Sequence, residues 1–206
     1  MALNIKPASE YKRKSLFVLS RDTGKAINHA LTFLSENCQN PLIVAFGNTE
    51  VFADTNYAVA YVGDFDKFSD VVTDIVSASN TYDGIFIDSL TFLRRILNTK
   101  IAEDGGIPKI QDYGAVNIQL TTMVTRVQNA TPNFVTTGAF VLNEDATNKS
   151  SAEVWEFDFT SNLRAGIFPK FGSIVYVAPD GQVVTDRDLA VQGKKPSKAP
   201  SLPQIN

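Results

Sequence analysis

Residues 15–34 read SLFVLSRDTGKAINHALTFL, and the order of their parts decides the fold. "SLFVL" (15–19) is a short continuous apolar run, the mark of a strand buried on both faces. "SRDTGK" (20–25) is a polar turn. From Gly24 to Cys38 the apolar residues Ile27, Ala30, Leu31, Leu34 and Cys38 recur at helical intervals, which predicts an amphipathic helix with His29, Thr32 and Glu36 turned outward. A strand, a turn carrying Gly-Lys and a helix is the layout of a phosphate-binding loop, yet the pattern G-x-x-x-x-G-K-[ST] is only half kept. Gly24 and Lys25 are in place, while Leu19 stands at the first glycine position and Ala26 at the hydroxyl position.

The same periods continue along the chain. "PLIVAFG" (41–47) and "YAVAYV" (57–62) are strands by their apolar runs, and "KFSDVVTDIVSAS" (67–79) repeats apolar residues at helical intervals. "YDGIFIDS" (82–89) is a strand that ends in Asp88. A helix at "LTFLRRIL" (90–97) leads to the Gly-rich loop "EDGGIPK" (103–109), then to a long helix at "YGAVNIQLTTMVTRVQ" (113–128) and a strand at "NFVTTGAFVL" (133–142). Alternating strands and helices predict an α/β fold: a mostly parallel sheet flanked by helices. Beyond residue 150 the pattern changes to strands at "AEVWEFDF" (152–159), "GSIVYVAP" (172–179) and "QVVT" (182–185), with "PDG" (179–181) as a hairpin turn, so the sheet is extended by C-terminal antiparallel strands. The expected organisation is an N-terminal arm (1–14), one domain (15–190) and an extended tail (191–206) whose three prolines and three lysines give it little to bury.

Composition narrows the function. The chain has 206 residues, 44% of them hydrophobic, enough for one sizeable core. Its 19 basic and 22 acidic residues leave a net charge of −3, with no global basic field to attract nucleic acid. One cysteine, Cys38, excludes a disulfide framework and a Cys-rich zinc site, and reads as a small buried hydrophobe. One histidine, His29, removes multi-His metal sites and most His-based triads. No apolar run approaches membrane-spanning length, so the expectation is a soluble protein without a membrane partner. Acid pairs at Asp64/Asp66 and Glu144/Asp145 read as turn residues. The aromatics Trp155, Phe157, Phe159, Phe168, Phe171 and Tyr176 lie near Arg164 and Lys170 in sequence. They fit either a stacking platform for single-stranded nucleic acid or inter-strand core packing, and core packing is the reading preferred.

Asp88 makes the Gly24–Lys25 pair more telling, since an acid at the end of a later strand is the partner that a magnesium-bound phosphate needs. With these residues in place, the chain resembles the phage-encoded RecA-like P-loop ATPases of the single-strand-annealing (Sak-type) group. The resemblance is carried by FVLSRDTGKAINHALTFL (17–34), YDGIFIDSLTFLRRIL (82–97) and IQDYGAVNIQLTTMVTRVQNATPNFVTTGAF (110–140). It implies a RecA-like core that binds ATP and magnesium, often as an oligomer on single-stranded DNA. On this resemblance Lys25 would contact the terminal phosphates, Gly24 would let the backbone approach them, and Asp88 would hold the metal through water.

The departures from that pattern shape the functional expectation. Ala26 offers no oxygen to magnesium, and Asp22 puts a negative charge into a loop meant to wrap a polyanion. At an effective dielectric near 20, two unit charges about 5 Å apart repel by roughly 3 kcal/mol. The position of a water-activating glutamate falls in "AFGN" (45–48), which has no acid, with Glu50 a few residues on; the sensor position holds Ala139 and Phe140. The expectation is therefore a catalytically degenerate P-loop protein, a pseudo-ATPase rather than an enzyme, with Gly24, Lys25 and Asp88 as a remnant phosphate and metal site and no cofactor. It would act as a structural or interaction module with other phage proteins or copies of itself, in a virion (connector, tail or capsid-associated) or in the host-cell cytoplasm. The alternative is a single-strand annealing or recombination protein that binds ATP and Mg2+. A third option is a nucleic-acid module using Arg164 and Lys170.

Overall fold

The computed structural model describes residues 13–105, 110–142 and 155–185, with the backbone alone at 102–105, 110, 141–142 and 155–157. The opening run forms β1 (Lys14–Ser20), which a two-residue turn joins to α1 (Thr23–Asn37). Then follow β2 (Pro41–Ala45), a 3-10 turn (Glu50–Phe52), β3 (Ala58–Tyr61), α2 (Phe68–Ala78) and β4 (Gly84–Asp88). Two long helices, α3 (Leu90–Gly105) and α4 (Ile110–Ala130), precede β5 (Asn133–Leu142). The C-terminal part contains β6 (Trp155–Phe157), α5 (Ser161–Ile167), a 3-10 turn (Phe168–Lys170), β7 (Ser173–Val177) and β8 (Val183–Thr185).

The strands pair in the order β3-β2-β4-β5-β1-β7-β8, with β6 paired to β5 off this path. All pairings from β3 through β7 are parallel; β7–β8 and β5–β6 are antiparallel. The chain is thus an α/β protein with a mostly parallel sheet flanked by helices and extended by antiparallel C-terminal strands. β5 lies between β1 and β4, so the turn after β1 and the acid at the end of β4 sit two strands apart, roughly 9–10 Å.

Alternation of side chains splits the core in two. Phe17 and Leu19 of β1 belong with residues of α2, α3, α4 and α5 on one face, while Leu16 and Val18 belong with Ala26, Ile27, Ala30 and Leu34 of α1 on the other. Among the described residues, α1 is the only α-helix contributing buried side chains to that second layer. Coverage there is uneven: on the edge strand β3, whose Val59 and Tyr61 face the α1 side beside Ile43 and Ala45, the exposures are 39% and 63%.

Several boundaries differ from the sequence expectation. α3 runs on to Gly105 because Ile101 continues the Leu90, Leu93, Leu97 stripe, and α4 begins at Ile110. The strand expected over 152–159 is β6 at Trp155–Phe157, with residues 152–154 outside the described set. α5 was not expected; Thr160 caps it by accepting from Leu163 N–H at 3.3 Å, and Leu163 and Ile167 bury one face. The 179–181 turn is a hairpin between β7 and β8, with Gly181 at φ +91. The arm, the tail and the pair Glu144/Asp145 lie outside the described residues, Arg13 and Lys14 excepted.

Candidate functional site

The C-terminal ends of the parallel strands form a crest, the side on which open α/β sheets bind ligands. Ser20 ends β1 there, beside Ala139 of β5 and Val177 of β7. The buried Ser20 hydroxyl donates to Val177 O at 2.7 Å and accepts from Asp22 N–H at 3.0 Å. Asp22 is the N-cap of α1: its carboxylate accepts from Lys25 N–H at 3.2 Å, and its carbonyl accepts from Ala26 N–H at 3.1 Å. A Cβ added at Gly24 would meet Asp22 Oδ1 at 3.3 Å, so the missing side chain leaves room for the chain's own carboxylate. The Lys25 ammonium donates to Pro179 O in the β7–β8 hairpin. The turn is therefore stitched to β7 at one end and to the hairpin at the other, and an anionic side chain lies on the Lys25 N–H in the first turn of α1.

Two strands away, Asp88 is half-buried. Its Oδ1 accepts from Thr137 Oγ1 at 2.6 Å, and burial raises its pKa above the usual aspartate value while the threonine hydrogen bond pulls it down. The peptide bond from Asp88 to Ser89 is cis. Ser89 Oγ accepts from Phe92 N–H at 3.1 Å at the start of α3. The structure thus brings Lys25 and Asp88 to one crest but points them apart: the lysine turns to the hairpin and the aspartate inward to β5.

The remaining positions sit as follows. Glu50 is exposed at the start of a 3-10 turn. Ala139 donates its N–H to Thr91 Oγ1 at 3.0 Å, while Phe140 is buried edge-on against Tyr176 with ring centroids 5.3 Å apart. Phe159, Phe168 and Phe171 surround Phe17 in the core, at 6.2, 5.6 and 5.0 Å between centroids. The side chains of Trp155 and Phe157 fall outside the described set. Arg164 is half-buried on α5 and Lys170 half-buried in the following turn, next to rings that face inward. His29 is half-buried rather than outward, and burial lowers its pKa. Among the described residues no group of three or more His, Cys, Asp or Glu side chains is placed to hold a metal ion, and no helix is long and apolar enough to cross a membrane. The lock that sequence reasoning missed is made of Ser20 and the Pro179 carbonyl. Asp22 three residues before a helical lysine carried a cap signal, but nothing local points to residues 177–179.

Neither a family model nor a curated protein matches this sequence. Among solved structures, the chain is similar to a prototypical ATPase from the type III secretion system of pathogenic bacteria, at 8% identity and a TM-score of 0.46, over 91% of this chain and 56% of that one. It is also similar to the ATPase EscN from the type III secretion system of enteropathogenic E. coli, at 13% identity and a TM-score of 0.47, over 92% of this chain and 48% of that one. The chain therefore spans about half the length of these proteins. Likeness at this level carries no residue roles.

Proposed function

We propose that this chain is a P-loop-type protein whose nucleotide site is closed, and that it serves as a structural or interaction module. The observation that carries this reading is the Asp22 carboxylate on the Lys25 N–H. A phosphate held by a helix N-terminus uses such N–H groups and a nearby cation, and here the Lys25 N–H and the Lys25 ammonium are both engaged by the chain itself. Displacing Asp22 with a polyanion would bring like charges together, and Ala26 has no hydroxyl for a magnesium ion. The residues present do not fit Mg-ATP, and no catalytic step is assigned to them. The resemblance of residues 15–142 to phage Sak-type proteins supports a phage origin, with a virion or a host-cell cytoplasmic assembly as the setting.

The test is a calorimetric titration of the protein with Mg-ATP, repeated on Lys25→Ala and Asp22→Asn. The expected result is no saturable heat at millimolar ATP for the unaltered protein. Saturable heat that Lys25→Ala removes would overturn the reading. One observation favours that second reading, an ATP-binding annealing protein: Asp88 keeps a half-buried carboxylate at the crest whose pKa is raised by burial.

A further inference from the structure

The end of the sheet opposite the crest, where β7 begins, carries a cavity of about 730 Å³. Phe168, Pro169, Phe171 and Ile174 line it, together with the hydroxyl residues Ser173 and Thr185. Its size falls within the roughly 300–1,000 Å³ of small binding sites. The lining is uncharged, but the surface around it is one-sided. Residues 113–142 and 159–179 supply most of α4 and all of β5, α5 and β7. Their only charged side chains are Arg126, Arg164 and Lys170, in a chain whose net charge is −3.

These cations approach the cavity by traceable links. Lys170 stands between Pro169 and Phe171 of the wall, and its carbonyl accepts from Gln128 Nε2 at 2.9 Å. Arg164 lies one helical turn before Phe168, whose N–H donates to the Arg164 carbonyl. Arg13 comes from the start of β1 and donates to Asn129 Oδ1 at 2.8 Å, while the nearby Ser15 Oγ accepts from Gly172 N–H at 2.8 Å. Among the described residues, Arg13, Arg164 and Lys170 have no acid as partner, whereas Arg94, Arg95 and Lys100 are all paired with one.

We propose that this surface docks an acidic peptide segment of a partner protein. One apolar side chain of the segment anchors in the cavity, and its carboxylates meet Lys170, Arg164 and Arg13. Single-stranded nucleic acid fits less well. Phe168 and Phe171 pack onto Phe17 in the core, so these rings do not stand out to stack on bases.

This inference rests on the reading of the chain as an interaction module and names the chemistry of its partner. Its test uses no nucleotide, so heat with Mg-ATP would sink that reading alone, and absent peptide binding would sink this one alone. The full chain is titrated into a fluorescent peptide of four aspartates followed by leucine and phenylalanine, and anisotropy is read. The expected result is saturable binding that weakens as salt rises. Arg164→Glu/Lys170→Glu weakens it by about tenfold or more. Ser173→Trp fills the cavity from an exposed position and also weakens it, with every charge untouched. Melting curves that match the unaltered protein show that the variants fold, and a peptide ending in two serines tests the anchor without altering the protein. No binding at submillimolar protein overturns the proposal, as does binding indifferent to the charge reversal or to the serine peptide. A single-stranded oligonucleotide that binds more tightly than the peptide, and is released by the charge reversal, assigns the surface to nucleic acid and overturns it as well.

Discussion

At Asp22 a single carboxylate caps α1 and takes the Lys25 N–H. Asp22→Ala removes the cap and should cost about 1 kcal/mol in chemical denaturation, whereas Asp22→Asn keeps an acceptor and should stay within a few tenths of the unaltered protein. Asp88 gives a pH signature. Its folded pKa is raised by burial, so the folded state holds its proton more tightly than the unfolded chain does. Its favourable contribution is complete below the ordinary aspartate pKa of about 3.9 and is lost as pH rises through the folded value. Asp88→Asn keeps an acceptor for Thr137 and should raise the melting temperature at neutral pH, with the gain vanishing near pH 4 and below. A fall at neutral pH would show that the charge itself is held by a favourable partner.

Elements meet through a few close approaches that local propensity does not encode. Gly84 opens β4 directly beneath Cys38, the C-cap of α1, and a Cβ there would collide with the Cys38 sulfur. Gly84→Ala should destabilise by roughly 1–3 kcal/mol, the usual range for overpacking, and Cys38→Ala in the same chain should recover most of it. A double-mutant cycle in urea measures the coupling. Burial, and then the neighbouring Asp83 charge, push the Cys38 thiol up to about 12, so alkylation at neutral pH should be slow in the folded protein and fast in denaturant. The periods of α1, α2 and the central strands were legible in the sequence because each buries one continuous face. α5 was not: seven residues give barely two turns, and only the Thr160 cap with Leu163 and Ile167 marks it.

At the scale of the molecule, one acid adds a charged tie between the C-terminal part and α3, beside the strand pairing of β7 with β1. Asp158 accepts from Arg95 at 3.0 and 2.8 Å, and its backbone carbonyl accepts from Arg94 at 2.8 Å. Arg94 is 14% exposed, so removing its counter-charge leaves a desolvated guanidinium. Asp158→Ala should cost about 1–3 kcal/mol, more than an exposed pair is worth, and the loss should change little with salt. Melts at low and high ionic strength check this. A loss that disappears in salt would assign the bridge to the surface.

The sequence by itself determined the α/β class, the parallel sheet and the strand–turn–helix at residues 15–34, because periodicity and burial on one or both faces are properties of contiguous residues. It also put Gly24 and Lys25 at the turn into a helix and Asp88 at the end of a strand. Only the tertiary structure decided what those residues touch. Lys25 meets Pro179 from 154 positions along the chain, and Ser20 meets Val177 across 157. Such contacts follow from strand order, which brings β7 beside β1 and β5 between β1 and β4, and no local spacing records that order. The same order put β3 and β8 at opposite edges of the sheet.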